Sequence, residues 1–128
     1  MEKYIVVDIM GYVKVKGFVA NPFKRDIRLG LEFLVDTGAM YTSLPESMLK
    51  RLEIVPTGKR SFLIASGERK EFSVGEVYIE VDGIGVTSLV LYGSEGVPSL
   101  LGVTTLELLG LQVDPITGKL KPAELYLL

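Results

Sequence analysis

The chain has 128 residues, 48% of them hydrophobic, and its 14 Lys and Arg against 16 Asp and Glu leave a formal charge of −2. That length and balance suit one compact domain, residues 1–128, with a proper core. With no His and no Cys, the chain has no Ser-His-Asp triad, Cys nucleophile, HExxH zinc site, thiolate cluster or disulfide. The slight acidity gives no general pull towards nucleic acid, and no window approaches the ~18 uninterrupted apolar residues of a membrane span. MEKYIVVDIMGYVKVK at the N-terminus carries Glu2 and Asp8 and lacks a secretory pattern, so a cytoplasmic location is expected. P-loop and GxGxxG spacings are missing as well, and no metal or cofactor is expected. Carboxylate chemistry is what remains, if there is chemistry at all.

The pattern along the chain is all-β: short stretches rich in Val, Ile, Leu, Phe and Tyr alternate with Gly, Pro and Asx turn signals. YIVVDIM (4–10) and YVKVKGFVA (12–20) read as strands flanking Gly11, the second with Val13 and Val15 on one face and Lys14 and Lys16 on the other. NPFKRD (21–26) reads as a turn and RLGLEFLV (28–35) as a strand that delivers Asp36 into a Thr-Gly-Ala loop. Pro45 suits the first turn of a short helix over ESMLKRLEI, where Met48, Leu49 and Leu52 share a side. KRSFLIA (59–65) and RKEFSVGEVYIEV (69–81) make a long hairpin with Ser66, Gly67 and Glu68 at its tip, and IGVTSLVLY (84–92) follows the Asp82-Gly83 turn. SLLG (99–102) leads into VTTLELLG (103–110), a short helix closed by Gly110. LQVDPITGKLKPAELYLL reads as a hairpin turning at Asp114 to Gly118, with a strongly apolar closing strand, Glu124 to Leu128.

Asp36 stands between an apolar strand and a turn, in FLVDTGAMYTSLP. Asp-Thr-Gly by itself makes a good turn, because the Asp side chain can accept from its own backbone. Here it is followed by Leu44-Pro45, a central hairpin and the apolar-apolar-Gly element Leu100-Leu101-Gly102 running into a helix. In that order the elements resemble the retropepsin-type aspartic proteases, particularly their small prokaryotic and archaeal relatives, from about Gly11 onward. The resemblance implies a closed, orthogonal β-barrel of the acid protease type with one or two short helices.

It also implies a mechanism. Peptide hydrolysis without a metal or covalent nucleophile needs one group to deprotonate water and another to protonate the scissile carbonyl, and two carboxylates sharing a proton do both. The chain has a single Asp-Thr-Gly; Asp114-Pro-Ile-Thr-Gly interposes two residues and falls in a hairpin turn. Pepsin-like enzymes carry two such loops in one long chain, whereas retroviral ones pair a loop from each of two identical chains. The resemblance therefore implies an obligate homodimer cutting peptide or protein substrates, with Asp36 of each copy in the dyad. Thr37 would brace the partner's loop, Gly38 would bring its N–H to Asp36, and Ala39 would stand where pepsin-like enzymes carry a hydroxyl. With that donor missing, the optimum is expected at about pH 5–6.5, above that of an enzyme whose dyad titrates at ~1.5 and ~4.7. Leu100, Leu101 and Gly102 would pack beneath the loop, and the hairpin tip, Ala65, Ser66 and Gly67, would form a flap over substrate. A dimeric, non-catalytic β module that binds extended peptides in the same cleft stays open as the alternative.

Overall fold

The computed structural model describes residues 13–127; the expected strand at 4–10 lies outside them. Strand β1 (Val13–Asn21) turns its valines inward and its lysines to solvent, and pairs antiparallel with β2 (Lys24–Val35), placing Val15 opposite Phe33. Their turn is tighter than the expected span 21–26: only Pro22 and Phe23 lie outside the strands. Asn21 makes this possible, since its Oδ1 accepts from the backbone N–H of Phe23 (2.9 Å) and of Lys24 (3.2 Å) while its Nδ2 donates to Leu52 O at 2.9 Å.

The remaining elements are β3 (Thr42–Pro45), α1 (Glu46–Arg51), β4 (Gly58–Leu63), β5 (Arg69–Val81), β6 (Ile84–Gly93), β7 (Leu100–Leu101), α2 (Val103–Leu109), β8 (Leu111–Val113) and β9 (Leu120–Pro122). Six strands close into a ring in the order β1-β2-β7-β3-β6-β5, and β5 pairs back onto β1. The β2–β7 and β3–β6 pairs are parallel; the other ring pairs are antiparallel. β5 serves two partners on one edge, β4 along Arg69 to Val74 and β1 along Tyr78 to Val81. The first half of β5 thus leaves the ring with β4 as a hairpin arm. Inside the ring, Val19, Phe33, Val35, Leu44, Ile79 and Leu101 have no exposed surface, a filled barrel rather than a pore.

β3 has no counterpart among the strands expected from sequence. Four residues ending in Pro carry no alternation signal; β3 is a strand because β6 holds one of its edges and β7 the other. Helix α1 is shorter than its expected span, since Glu53 adopts a left-handed φ of 59° just past Leu52, and Pro45 is the N-cap rather than a first-turn residue. Helix α2 ends as expected on Gly110, at φ 71°. Among the described residues the expected closing strand from Glu124 is not formed. β8 and β9 make a separate two-stranded sheet that stops at Pro122, and the last backbone tie runs from Ala123 N–H to Gly110 O at 2.8 Å. Among the described residues, 124–127 run on without a strand partner, leaving Leu125, Tyr126 and Leu127 at least 75% exposed.

Candidate active site

Asp36 leaves the end of β2 where β2 and β7 run parallel, Leu34 beside Leu100 and Val35 beside Leu101. Its backbone N–H donates to Leu101 O at 3.1 Å, so the pairing continues one residue past the strand and fixes the origin of the Asp36 side chain. The loop closes on itself through Ala39 N–H to Asp36 O, also 3.1 Å. One carboxylate oxygen, Oδ1, accepts from Gly38 N–H at 2.9 Å, and the side chain remains half-buried. Gly38 does not take the positive φ that turn glycines commonly need. A Cβ there would stand 3.3 Å from Asp36 Oδ1, so its role is to leave room for the carboxylate.

Helix α2 holds the other half of the loop. Its first two N–H groups, on Val103 and Thr104, donate to Ala39 O and Met40 O, both at 2.9 Å. These donors would otherwise be orphaned, since α2 starts on Gly102 with no side-chain cap. Gly102 packs directly on the loop: a Cβ added there would lie 2.4 Å from Tyr41 C, 2.6 Å from Tyr41 O and 2.8 Å from Thr42 N. Leu100, Leu101 and Gly102 therefore form a shelf under the loop.

Sequence reasoning missed a buried hydroxyl chain below that shelf. Thr42 Oγ1 accepts from Gly102 N–H at 3.0 Å and lies 2.6 Å from Thr105 Oγ1, which lies 2.8 Å from Ser88 Oγ; Ser88 in turn donates to Leu89 O at 3.2 Å. One assignment uses every proton: each group donates to the next, from the amide of Gly102 to the carbonyl of Leu89. A second missed residue is Glu95, whose carboxylate accepts from Ser47 N–H (2.9 Å) and Ser47 Oγ (2.7 Å). It caps α1 from the β6–β7 loop, and these bonds hold it below the usual carboxylate range. The only sequence signal for the hydroxyls was their placement at inward positions of apolar segments.

Thr37 is exposed, and among the described residues its hydroxyl has no hydrogen-bond partner. Beside it lies a cavity of about 440 Å³, lined by Thr37, Leu106, Leu111, Val113 and Leu125 among others. The arm's tip is a tight turn, with Ile64 N–H bonded to Glu68 O and Gly67 N–H to Ile64 O, both 2.9 Å, and Gly67 at φ 88°. Ala65, Ser66 and Gly67 are exposed there. Nearer its base the arm meets the Asp36 loop: Phe62 packs edge-on to Tyr41 (centroids 5.9 Å) and to Phe72 (5.7 Å). Asp36, Thr37, Gly38 and Ala39 thus stand together on the shelf of Leu100, Leu101 and Gly102, and Tyr41 links them to the arm. The loop presents one carboxylate, a group that can serve as a base.

A family model described as aspartyl protease matches residues 13–113, which include the Asp36 loop, the arm and the shelf. Among solved structures, the foamy viral protease-reverse transcriptase in complex with RNA/DNA hybrid is similar with a TM-score of 0.57 at 21% identity. The match covers 92% of this chain but only 13% of that one. The solution structure of Simian Foamy Virus (mac) protease is similar with a TM-score of 0.55 at 21% identity, covering 76% of this chain and 94% of that one. No curated protein matches significantly. At these identities the solved structures support the all-β, retropepsin-like fold, while the family model spans most of the sequence. The chain belongs to the aspartyl protease family.

Proposed function

We propose that the protein is an aspartic endopeptidase that works as a homodimer, with one Asp36 from each copy sharing a proton across the two-fold axis. The observation that carries this reading is the Asp36 loop itself: a half-exposed carboxylate on a backbone tied to Leu101 O and held by α2. Tethering of that kind keeps a reacting group in place without help from substrate. In the dyad, the ionised Asp36 takes a proton from water while its neutral counterpart protonates the scissile carbonyl. The exposed Thr37 would brace the partner's loop, and the apolar residues Leu125, Tyr126 and Leu127 are surface that a second copy would cover. Ala65, Ser66 and Gly67 would close over substrate and exclude water.

Incubation with unfolded protein substrates across a range of pH, beside the Asp36→Asn variant and a pepstatin-like inhibitor, tests the chemistry. Cleavage that peaks in mildly acid solution and vanishes in the variant supports the dyad; equal activity in the variant ends it. Sedimentation at micromolar concentration tests the pairing, which a persistent monomer would refute. Peptide binding without cleavage in the unaltered chain would favour the non-catalytic module instead.

A further inference from the structure

The β4–β5 arm has two faces of different character. Directly opposed residues in an antiparallel pair share a face, and the register sets Arg60 opposite Phe72 and Phe62 opposite Lys70. These four occupy the face that meets Tyr41: Phe62 packs against its ring, and Arg60 Nη1 donates to its hydroxyl at 3.2 Å. On the opposite face Lys59 pairs with Glu71 at 4.0 Å, with Arg69 beyond them towards the tip and no aromatic ring among them. The inner face carries Arg60 and Lys70 over an aromatic floor, Lys70 Nζ lying 5.6 Å from the Phe72 centroid. Among the described residues no carboxylate lies within 4.0 Å of either cation. Glu71, next to Lys70 in the chain, turns to the other face beside Lys59, and Glu68 at the tip accepts from Ser66 Oγ at 3.2 Å.

We propose that this face reads an acidic side chain of the substrate, so that the enzyme favours peptides with an Asp or Glu lying under the arm, away from the scissile bond itself. The proposal rests on the peptidase reading above and names the substrate class for that site. Arg60 is the principal reader. Its guanidinium has five N–H donors in a planar fork, and Tyr41 uses one of them, fixing the group beside the Asp36 loop. The free edge is suited to two parallel bonds to a carboxylate. Lys70 adds a second positive charge from the paired strand. The aromatic floor of Tyr41, Phe62 and Phe72 keeps water from one side of the site, which strengthens attraction between charges relative to bulk solvent.

Matched peptide pairs test this, one member carrying Glu and the other the near-isosteric Gln, moved through each position from four before to four after the cut. The unaltered protein is expected to favour the Glu member by about fivefold in kcat/KM at one or two positions, the scale of an exposed ion pair, and to lose that preference in high salt. Arg60→Gln should bring the ratio close to one and Arg60→Glu should invert it, whereas Arg60→Lys, which keeps charge but not the fork, should retain only part of it. Because each ratio compares two peptides on one protein, it is insensitive to any general loss of activity. Anisotropy of labelled Glu and Gln peptides on the Asp36→Asn variant reads the same preference without cleavage, so absent hydrolysis would count against the peptidase reading alone. Equal handling of Glu and Gln at every position, or a preference untouched by Arg60→Glu, overturns the proposal.

Discussion

Replacing Thr42 by Val removes one oxygen from a site with no exposed surface and keeps the side-chain shape. The consequences follow from the hydroxyl chain. Gly102 N–H loses its acceptor at 3.0 Å, and Thr105 loses its partner at 2.6 Å. Gly102 is itself buried, so water cannot replace the acceptor without the shelf moving off the loop. A stranded buried donor costs about 1–3 kcal/mol, and the lost hydroxyl bond adds roughly 1 kcal/mol. The expected loss is therefore about 2–4 kcal/mol, or roughly 10 °C in Tm for a domain of this size. Denaturation should be measured at one fixed protein concentration, because in the two-copy reading stability moves with concentration. Thr42→Ser, which keeps the oxygen, should lose clearly less, and Thr105→Val combined with Thr42→Val should cost less than the two separate losses together, since both cut one chain. A Thr42→Val protein as stable as the Ser variant, with strictly additive behaviour in the pair, would refute the reasoning.

Gly102→Ala introduces a Cβ into backbone atoms of Tyr41 and Thr42 rather than into a movable side chain; overpacking of this kind costs about 1–3 kcal/mol, and peptidase activity should fall much further than stability because the displaced segment carries Asp36. Glu95→Gln weakens the cap of α1, and the sign of its pH dependence follows from the lowered carboxyl. Its stabilisation is present above the ordinary value of 4.5 and is lost as pH falls through the depressed folded value. The variant should therefore melt lower at neutral pH and converge with the unaltered protein in strong acid; a constant gap at all pH values would contradict the cap. Ala39→Ser offers the carboxylate a new donor and should move the activity optimum to lower pH, as read from a pH–rate profile. Removing residues 124–128 should leave near-normal melting of the ring at high dilution but abolish dimers in sedimentation and cleavage with them.

Some of this was legible in the sequence and some was not, for physical reasons. β1 and the arm were readable because alternation records directly which side chains face the core: Val13 and Val15 turn inward, Lys14 and Lys16 outward. The Asp82-Gly83 turn was readable because both residues take positive φ, 54° and 75°, which few residue types tolerate. Asp36 was readable because its loop couples a strand end, a small residue and an apolar shelf in a fixed order. β3 was not, since its strand character comes from β6 and β7, more than forty residues away. The hydroxyl chain was not either: Thr42 and Thr105 are separated by sixty-three residues, and a Thr in an apolar run has the same pattern whether its oxygen is tied or merely tolerated. The Gly38 N–H bond to Asp36 was readable, but not that a Cβ at Gly38 would crowd the same carboxylate oxygen.

The division of labour between one chain and two follows from where the loop's bonds lie. Among the described residues the chain itself ties the Asp36 loop: Leu101 O beneath it, Ala39 and Gly38 within its own turn, Val103 and Thr104 behind. In the two-copy reading, pairing therefore has only to bring two finished loops together, without folding either. Thr37 and the apolar tail, the parts left without partners in the described chain, are the ones that pairing would occupy. Activity should then rise with the square of concentration below the dissociation constant while the fold of each chain persists. A chain that unfolded as it dissociated would show instead that the ring itself depends on the partner.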